Sequence, residues 1–253
     1  MTDFTIHRVE TVDSTNSQLL RWSTRLNCHR VVLVADVQTA GRGQRGRQWH
    51  AARGEALLCS VAWHFAAACP LDGLSLAVGV MVAEALAYGV AGGEHERLLL
   101  KWPNDLLVDE THKLGGILIE TVNSGGGART AVIGIGINLR TPAVEPSIIG
   151  LPTVGLDAWL GAKHDRDDVL NRVLTALDGG LETFSRLGFG GFKTRWWTRC
   201  AYATQRITAR LPDGEAISGK MQSITDQGAL VLESERGLRT LISGEVSLRV
   251  ASA

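Results

Sequence analysis

In this 253-residue sequence, the residues best suited to bind a charged ligand are concentrated in a run rich in glycine and arginine, from Gly41 to Trp49. The run contains three glycines and three arginines, Arg42, Arg45 and Arg47, and no acidic residue. Guanidinium groups match phosphate oxygens in charge and geometry, and glycine lets a backbone close tightly on a ligand. The run lacks the Gly-Lys-Ser/Thr of a P-loop, so side chains would bind the phosphates. It predicts a polyphosphate site, with a solvated basic turn as the alternative.

Two short motifs place lysines beside other polar residues in apolar surroundings. Lys101, Asn104 and Asp105 interrupt an otherwise apolar run. Unpaired buried polar groups are costly, so these side chains either satisfy one another or face a cavity. Lys113, in Lys113-Leu-Gly-Gly116, begins the next run, and a hairpin would return it to the same end of the sheet. Two lysines at one pocket predict a carboxylate or phosphate substrate, with a structural polar plug and a solvated hairpin lysine as the alternatives.

Two further motifs could bind a ligand through hydrogen bonds. Gly134 and Gly136 alternate along an apolar segment that ends in Asn138. This segment begins like a dinucleotide fingerprint but lacks its third glycine. We therefore expect the glycines to admit a ligand close to the backbone, and Asn138 to bond a base or ribose. The triplet Ser14-Thr15-Asn16 could bind a urea or amide group, or simply cap a helix.

Short apolar runs predict the elements that position these motifs. Five runs before residue 140 indicate strands of one sheet, and after Trp197 further strand-like runs follow with turn residues between them. Residues 71–91 predict a buried helix, and helical spacing begins at Asp167 although Gly179-Gly180 weakens it. We predict an α+β fold, with a mixed α/β catalytic domain over residues 1–200 and a small SH3-like β-barrel over residues 201–253. The strand runs cover residues 30–35, 56–63, 98–102, 116–122, 131–137, 205–211, 216–224, 229–233 and 238–250.

Composition limits the classes of protein to which the chain can belong. Lysine and arginine number 26, aspartate and glutamate number 26, and apolar residues make up 45%, which excludes a disordered chain and a bulk polycation. The four cysteines form no Cys-x-x-Cys pair and indicate reduced thiols. The most apolar stretch is too short between charges to span a bilayer, and the first residues do not have the layout of a signal peptide. We expect a cytoplasmic protein with no membrane partner.

Taken in order, the motifs resemble those of the biotin protein ligases. The resemblance rests on Asp13-Ser-Thr-Asn16, Gln38-Thr-Ala-Gly-Arg-Gly-Gln-Arg-Gly-Arg47-x-Trp49, Lys101-Trp-Pro-Asn-Asp105, Lys113-Leu-Gly-Gly116 and Gly134-x-Gly-x-Asn138. It implies a monofunctional ligase whose catalytic domain is related to class II aminoacyl-tRNA synthetases. It also implies that biotin and Mg-ATP form biotinyl-5'-AMP and pyrophosphate. A lysine of a biotin carboxyl carrier protein, for example that of acetyl-CoA carboxylase, would then take the biotin and release AMP.

The resemblance further implies a role for each site residue. The catalytic cations would be Lys113, Arg42, Arg45 and Lys101, and Lys113 would hold the biotin carboxylate and the α-phosphate. Magnesium would be held by Asp105. The nucleotide would contact Arg45, Arg47, Trp49, Asn104 and Asn138, with Trp49 beside the adenine. The biotin pocket would comprise Ser14, Thr15, Asn16, Gln38, Arg42, Gly43, Gln44, Lys113, Gly116, Gly134 and Gly136. ATP, Mg²⁺ and biotin are substrates in this scheme, and no tightly bound cofactor is expected.

One position departs from the family pattern. The family usually carries arginine at the position of Gln44, and that arginine helps to retain the reactive adenylate, so retention is in question here. Because only twelve residues precede Asp13, we expect no helix-turn-helix domain and no DNA binding. An exposed strand edge would permit a homodimer. The barrel would dock the carrier, help to close over ATP, or only support the fold.

Two other functions stay open as alternatives. A lipoate ligase or octanoyl transferase shares the catalytic fold, although the Lys101–Asp105 motif and the arginine-rich run favour biotin. A nucleic-acid-binding module could use the three arginines of that run without any chemistry. The zero net charge disfavours such a module, which would bind with strong salt dependence and without ATP.

Overall fold

The computed structural model describes residues 2–88, 90, 94–124, 126–143, 151–211, 214–242 and 247–250. Seven strands form the larger sheet: β1 Thr5–Val12, β2 Val31–Gln38, β3 Ala56–Phe65, β4 Leu98–Lys101, β5 Asp105–Val108, β6 His112–Asn123 and β7 Arg129–Asn138. They lie in the order β1-β2-β3-β7-β6-β5-β4. The β1–β2 pair is parallel and the other neighbours are antiparallel. The glycines of β6 and β7 therefore lie side by side near the middle of the sheet, with Gly116 opposite Gly136.

The helices cover the two faces of this sheet unequally. The described helices are α1 Thr15–Ser23, α2 Leu74–Ala87, α3 Leu156–Leu160, α4 Arg166–Leu187 and α5 Lys193–Thr198, with 3₁₀ turns at Gln44–Gly46, Glu94–Arg97 and Phe189–Gly191. The apolar helix α2 packs against α4, β4 and β6 within the main core. Helix α1 packs on β3 and β7 over a smaller core around Leu19. The start of α1 thus lies directly over the central strands.

The long helix α4 differs from the sequence prediction in its start and its continuity. It begins after Asp165, whose carboxylate accepts hydrogen bonds from the backbone nitrogens of Asp167 and Asp168. The spacing predicted Asp167 as the cap instead. It also continues through Gly179 and Gly180 without a break. A side chain at Gly180 would lie 2.5 Å from Met81 Sδ. The glycine that weakened the helical pattern is therefore what allows α2 and α4 to approach each other closely.

The first strand, β1, was not predicted from the sequence. Most of its side chains are exposed, so its residues show neither the apolar run nor the clean alternation that marks a strand. Its backbone is held by a parallel pairing with β2. This edge position explains why the pattern was missing.

A second sheet occupies the C-terminal part of the chain. It contains β8 Arg206–Arg210, β9 Ala216–Ile224, β10 Leu230–Ser234, β11 Gly237–Leu241 and β12 Ser247–Val250. The order is β11-β10-β9-β8-β12, and all neighbours are antiparallel. Residues 243–246 of the last predicted run lie outside the described residues. The predicted α+β class, with a mixed sheet followed by a small all-β unit, is confirmed.

The C-terminal part braces the turn between β4 and β5. The indole N–H of Trp102 donates to Gly228 O at 3.0 Å, and Leu100 bonds through its backbone to Arg199 and Ala201. Trp102 and residues of β9 and β10 belong to one continuous hydrophobic core. The division at residue 200 stays a prediction. No helix in the described residues is long and apolar enough to cross a membrane.

Candidate active site

A cavity of about 150 Å³ lies beside the N-terminus of α1. Its walls come from that helix, from the run between Gly41 and Trp49, from the β4–β5 turn, from strands β3, β6 and β7, and from residues 151–153. These parts of the sequence are far apart. The fold brings them together because the ends of the central strands and the first turn of α1 meet at this point.

The cavity gathers every predicted site residue except Arg45. The backbone of Arg45 lies in the 3₁₀ turn, and its side chain lies outside the part that the structure describes. Residues from five separate motifs thus share one site, and the role of each within it stays a prediction. The predicted residues that line the cavity are Ser14, Thr15, Asn16, Gln38, Arg42, Gly43, Gln44, Arg47, Trp49, Lys101, Asn104, Asp105, Lys113, Gly116, Gly134, Gly136 and Asn138.

The start of α1 presents hydrogen-bonded polar side chains to the cavity. Ser14 is the N-cap, and its hydroxyl accepts a bond from Ser17 N. Thr15 donates twice to Gln38 Oε1, from its backbone nitrogen at 2.7 Å and from its hydroxyl at 3.0 Å. These bonds occupy the oxygen of Gln38. Its Nε2 group is then the part of the amide that can donate to a ligand.

Asn16 is buried, and its amide is engaged by the protein. Its Nδ2 group donates to a backbone carbonyl of β6 and to Glu120 Oε2, both at 3.1 Å. Its Oδ1 accepts from the hydroxyl of Ser60 at 2.6 Å, and that hydroxyl also lies 2.7 Å from Thr15 Oγ1. A Cβ atom at Gly134 would overlap Asn16 Oδ1. Gly134 therefore makes room for Asn16, and Asn16 shapes the wall of the cavity.

Arg42 pairs with a carboxylate that the sequence prediction did not include. Its Nη2 forms an ion pair with Glu120 Oε1 of β6, and its Nη1 donates to Ser17 Oγ at 2.9 Å. The two partner side chains are 41% and 26% exposed. In this structure the guanidinium of Arg42 attaches its segment to α1 and β6.

The glycine-rich loop, residues 41–49, closes on itself through its backbone. Gly43 N donates to Arg47 O at 2.8 Å, and Trp49 N donates to Gly41 O at 3.0 Å. Gly46 has a φ of +71°, in the left-handed region where a side chain is strained. Arg47 is exposed at the rim of the cavity. The spacing of the glycines thus produces a small closed loop, with Arg47 exposed at the rim and Arg42 directed to α1 and β6.

The indole of Trp49 lies on the glycines of the central strands. A Cβ atom at Gly136 would be 2.7 Å from two of its ring atoms, and one at Gly116 would be 3.4 Å away. The indole N–H is buried without a hydrogen-bond partner among the described residues. Glycine at position 136 is therefore required for the indole to rest on the sheet, whereas a Cβ atom at position 116 would make only ordinary van der Waals contact with it.

The hairpin from β5 to β6 returns Lys113 to the β4–β5 turn, as the sequence predicted. Its Nζ forms a 2.6 Å ion pair with Asp105 Oδ1, and the two side chains are only 17% and 14% exposed. The ammonium also lies 5.7 Å from the ring centroid of Trp49. An anionic substrate would meet Lys113 as a partly desolvated cation already positioned by a carboxylate. Lys101, on β4, lines the same cavity.

The two asparagines assigned to the nucleotide both brace the backbone. Asn104 donates to Ile117 O at 2.9 Å. Asn138 is buried and donates to Lys113 O at 3.2 Å and Val154 O at 3.3 Å. Asn138 therefore holds β6, β7 and the segment around residue 154 together. Its Oδ1 is the part of the amide that can accept a bond from a ligand.

Two residues of the site, Ser60 and Glu120, were missed in the sequence. Each is a polar residue inside an apolar run, in Leu-Leu-Cys-Ser-Val-Ala and Ile-Leu-Ile-Glu-Thr-Val. The same signal led to the prediction for the Lys101–Asp105 motif. A systematic search for isolated polar residues within predicted strands would have found both.

The electrostatics of the site disfavour a covalent thiol mechanism. Burial raises the pKa of the Cys59 thiol, in the wall of the cavity, to about 12. The thiolate is the reactive form, so Cys59 is not available as a nucleophile near neutral pH. Just outside the cavity, a hydrogen bond from Arg21 lowers the pKa of Asp13 to about 2 and keeps it ionised. The charged groups on the described lining that remain for chemistry are the cations and the carboxylate of Asp105.

No group of three or more His, Cys, Asp or Glu side chains that could hold a metal ion occurs among the described residues. Asp105 is the one carboxylate on the described lining of the cavity, and Lys113 engages it. A magnesium ion that enters with a polyphosphate usually takes most of its ligands from phosphate and water. One carboxylate is compatible with that mode.

Comparison with known proteins identifies the family. Residues 9–138 match the family model of the biotin/lipoate A/B protein ligases, and residues 205–249 match that of the biotin protein ligase C-terminal domain. The chain is 34% identical over 244 residues to the bifunctional ligase/repressor BirA of Escherichia coli, which covers 95% of this chain and 73% of that protein. This chain belongs to the biotin protein ligase family.

Further biotin protein ligases agree with this assignment. The chain is 32% identical over 238 residues to the biotin--[acetyl-CoA-carboxylase] ligase of Paracoccus denitrificans, covering 92% of this chain and 96% of that protein. The biotin protein ligase from Aquifex aeolicus in complex with biotin and ATP superposes with a TM-score of 0.81 at 29% identity, covering 97% of this chain and 99% of that one. The predicted membership in the biotin protein ligases is therefore confirmed.

Proposed function

We propose that this biotin protein ligase activates biotin with Mg-ATP and transfers it to a lysine of a biotin carboxyl carrier protein. The observation that carries the proposal is the position of Lys113. It lines one cavity together with the polar cluster of α1, which comprises Ser14, Thr15 and Asn16, and with the glycine-rich loop. A carboxylate and a polyphosphate held by these two parts would meet at this cation.

In the first half-reaction, a carboxylate oxygen of biotin attacks the α-phosphorus of ATP. A bond forms between that oxygen and phosphorus, and the bond to the bridging oxygen of the β-phosphate breaks, so pyrophosphate leaves with the electron pair. Negative charge builds up on the α-phosphate in the transition state, and fixed cations stabilise it. Lys113 bridges the carboxylate and the α-phosphate, assisted by Lys101, Arg42 and Arg45. The ion pair of Lys113 with Asp105 orients the ammonium before the substrates arrive.

The remaining residues divide between the two substrates. Arg47, Trp49, Asn104 and Asn138 would contact the nucleotide, and Asp105 would bind the magnesium that enters with ATP once a substrate anion takes over Lys113. The biotin side would comprise the polar cluster, the nearby loop residues and the backbone of the strand glycines. Its members are Ser14, Thr15, Asn16, Gln38, Gly43, Gln44, Gly116, Gly134 and Gly136.

In the second half-reaction, the neutral ε-amine of the carrier lysine attacks the acyl carbon of biotinyl-5'-AMP. An amide bond forms, the bond from the acyl carbon to the phosphate oxygen breaks, and AMP leaves. The amine gives up its proton to solvent. No enzyme nucleophile is required, which is consistent with the high pKa of Cys59.

We propose a cytoplasmic location and assign no DNA and no membrane partner to this reaction. A homodimer stays a prediction. Among the described strands, β5 pairs with β6 only as far as Gly116; Ile117 bonds to Asn104, Leu118 O accepts from Asn16, and from Ile119 onward β6 pairs with β7 alone. A second copy of the chain could pair along that stretch.

The experiment that tests the proposal is isotopic exchange between pyrophosphate and ATP with biotin, lipoate or octanoate as the acid. Biotin-dependent exchange that is lost in Lys113→Ala supports it, because exchange requires reversible formation of the adenylate. Exchange with lipoate or octanoate but not with biotin would favour a lipoate or octanoate enzyme of the same fold. Ser185→Ala, in α4 and remote from the cavity, is the matched control and should exchange at the wild-type rate.

A further inference from the structure

Glu120 contacts two different parts of the site with its two carboxylate oxygens. Oε2 accepts a hydrogen bond from Asn16 Nδ2 at 3.1 Å, and Oε1 forms the ion pair with Arg42 Nη2. Arg42 also donates to Ser17 Oγ at 2.9 Å. One carboxylate on β6 therefore joins the polar cluster of α1 to the glycine-rich loop.

The glycine-rich loop depends on polar contacts at this point. A second cavity of about 600 Å³ lies between the loop and β6, and both Arg42 and Glu120 line it. The bonds from Gly43 to Arg47 and from Trp49 to Gly41 are internal to the loop and do not tie it to the sheet. The indole of Trp49 secures the far end of the loop on the strand glycines. Near its start, Arg42 and Glu120 span the gap between loop and sheet.

We infer that Glu120 is a positioning residue that holds the glycine-rich loop over the active site through Arg42. This inference deepens the proposed function, because it is the loop that would close over biotin and the adenylate. Glu120 lies on the same face of β6 as Gly116 and Leu118, two residues beyond the lining of the main cavity. It acts on the substrates through Arg42 and Asn16 and touches neither substrate itself.

The first test follows the loop directly by limited proteolysis with trypsin, which cleaves after Arg42, Arg45 and Arg47. The Glu120→Gln substitution removes the negative charge from the Arg42–Glu120 ion pair and keeps the shape of the side chain. We expect cleavage within the loop to become about fivefold faster, the change given by loss of one partly exposed ion pair. Glu84→Gln is the matched control, because Glu84 pairs with Arg195 at 3.0 Å with similar exposure on the far side of α2. It should leave the loop cleavage rate unchanged.

A second variant shows whether Glu120 acts through Arg42. Arg42→Met should accelerate cleavage after Arg45 and Arg47 as much as Glu120→Gln does. The double variant should then be no faster than either single variant. Equal loop cleavage in wild type and Glu120→Gln would overturn the inference, as would additive effects in the double variant.

The kinetic readout separates positioning from simple structural support. Because Arg42 is also proposed to stabilise the transition state, Glu120→Gln should raise the KM for biotin about fivefold and lower kcat by no more than Arg42→Met does, with an unchanged melting temperature. A lower kcat with an unchanged KM would overturn the positioning role. The trypsin experiment needs no ligase activity. A failure of the proposed function and a failure of Glu120 to hold the loop would therefore be seen in different experiments.

Discussion

Substitution of Ser60 by alanine tests whether the buried polar layer under α1 organises the biotin side of the site. The Ser60 hydroxyl is fully buried and lies 2.6 Å from Asn16 Oδ1 and 2.7 Å from Thr15 Oγ1. Removing it leaves the buried Asn16 oxygen without its donor, which typically costs about 1–3 kcal/mol. The alanine side chain otherwise fits the space, so no sizeable cavity adds to this cost. We expect the free energy of unfolding to fall by about 2 kcal/mol.

The same change should weaken biotin binding selectively. Asn16 and Thr15 would have to be held in place by the ligand, and a reorganisation of about 1.4 kcal/mol corresponds to a tenfold increase in Kd. The KM for ATP should stay within twofold of the wild-type value, because the Ser60 hydroxyl bonds to Thr15 and Asn16 on the biotin side of the site.

Urea denaturation gives the free energy of unfolding, and calorimetric titration gives the biotin Kd. The control is Ser185→Ala, which removes a partly buried hydroxyl that bonds to a helix carbonyl in α4, far from the cavity. It should change stability by less than about 0.5 kcal/mol and leave biotin binding unaltered. A Ser60→Ala protein that binds biotin with the wild-type Kd would show that the Ser60 hydroxyl does not organise the biotin side of the site, even if its stability fell as expected.

Three further substitutions probe other parts of the site. Gln44→Arg should restore the cation that the family pattern carries in the loop and slow release of biotinyl-5'-AMP; equal off-rates in the two proteins, measured by trapping released adenylate, would contradict this. Asp105→Asn should raise the Mg²⁺ concentration needed for half-maximal pyrophosphate release about tenfold, the scale of one charged ligand, and an unchanged Mg²⁺ dependence would remove Asp105 from the metal environment. Gly136→Ala places a Cβ atom 2.7 Å from the Trp49 ring and should lower kcat/KM for adenylate formation at least tenfold. Gly79→Ala, where the nearest contact is 3.4 Å, is its control, and wild-type kinetics in Gly136→Ala would show that the indole need not rest on the glycine.

Much of the site was predictable because its residues are unusual for their surroundings: charged side chains beside buried strands, and glycines within a strand. Lys101, Asp105 and Lys113 are charged residues beside buried strands, and the structure pairs two of them at 2.6 Å. The alternating glycines of β7 signalled a close approach to the backbone. In the structure it is Trp49 that lies against Gly136, with Asn16 against Gly134. Sequence spacing indicates that something must come close, and it does not identify the partner.

The parts that could not be predicted depend on long-range partners. Arg42 was assigned to the substrates from its type and neighbours, and its pairing with Glu120 joins residues 78 positions apart. Asn138 was assigned to the nucleotide, and its two donors hold backbone carbonyls that only the folded sheet brings near. The edge strand β1 gave no apolar pattern because most of its side chains are exposed to solvent. Each of these features depends on tertiary contacts that local sequence does not encode.

The ligase reaction is tested most directly by the intact mass of a biotin carboxyl carrier domain after incubation with this protein, biotin and Mg-ATP. We expect the carrier domain to gain one biotinyl group, in a reaction that depends on ATP and is abolished by Lys113→Ala in the ligase. Attachment of lipoate or octanoate in place of biotin would contradict the substrate assignment. An unchanged mass on carrier domains from several carboxylases would contradict the ligase reaction itself.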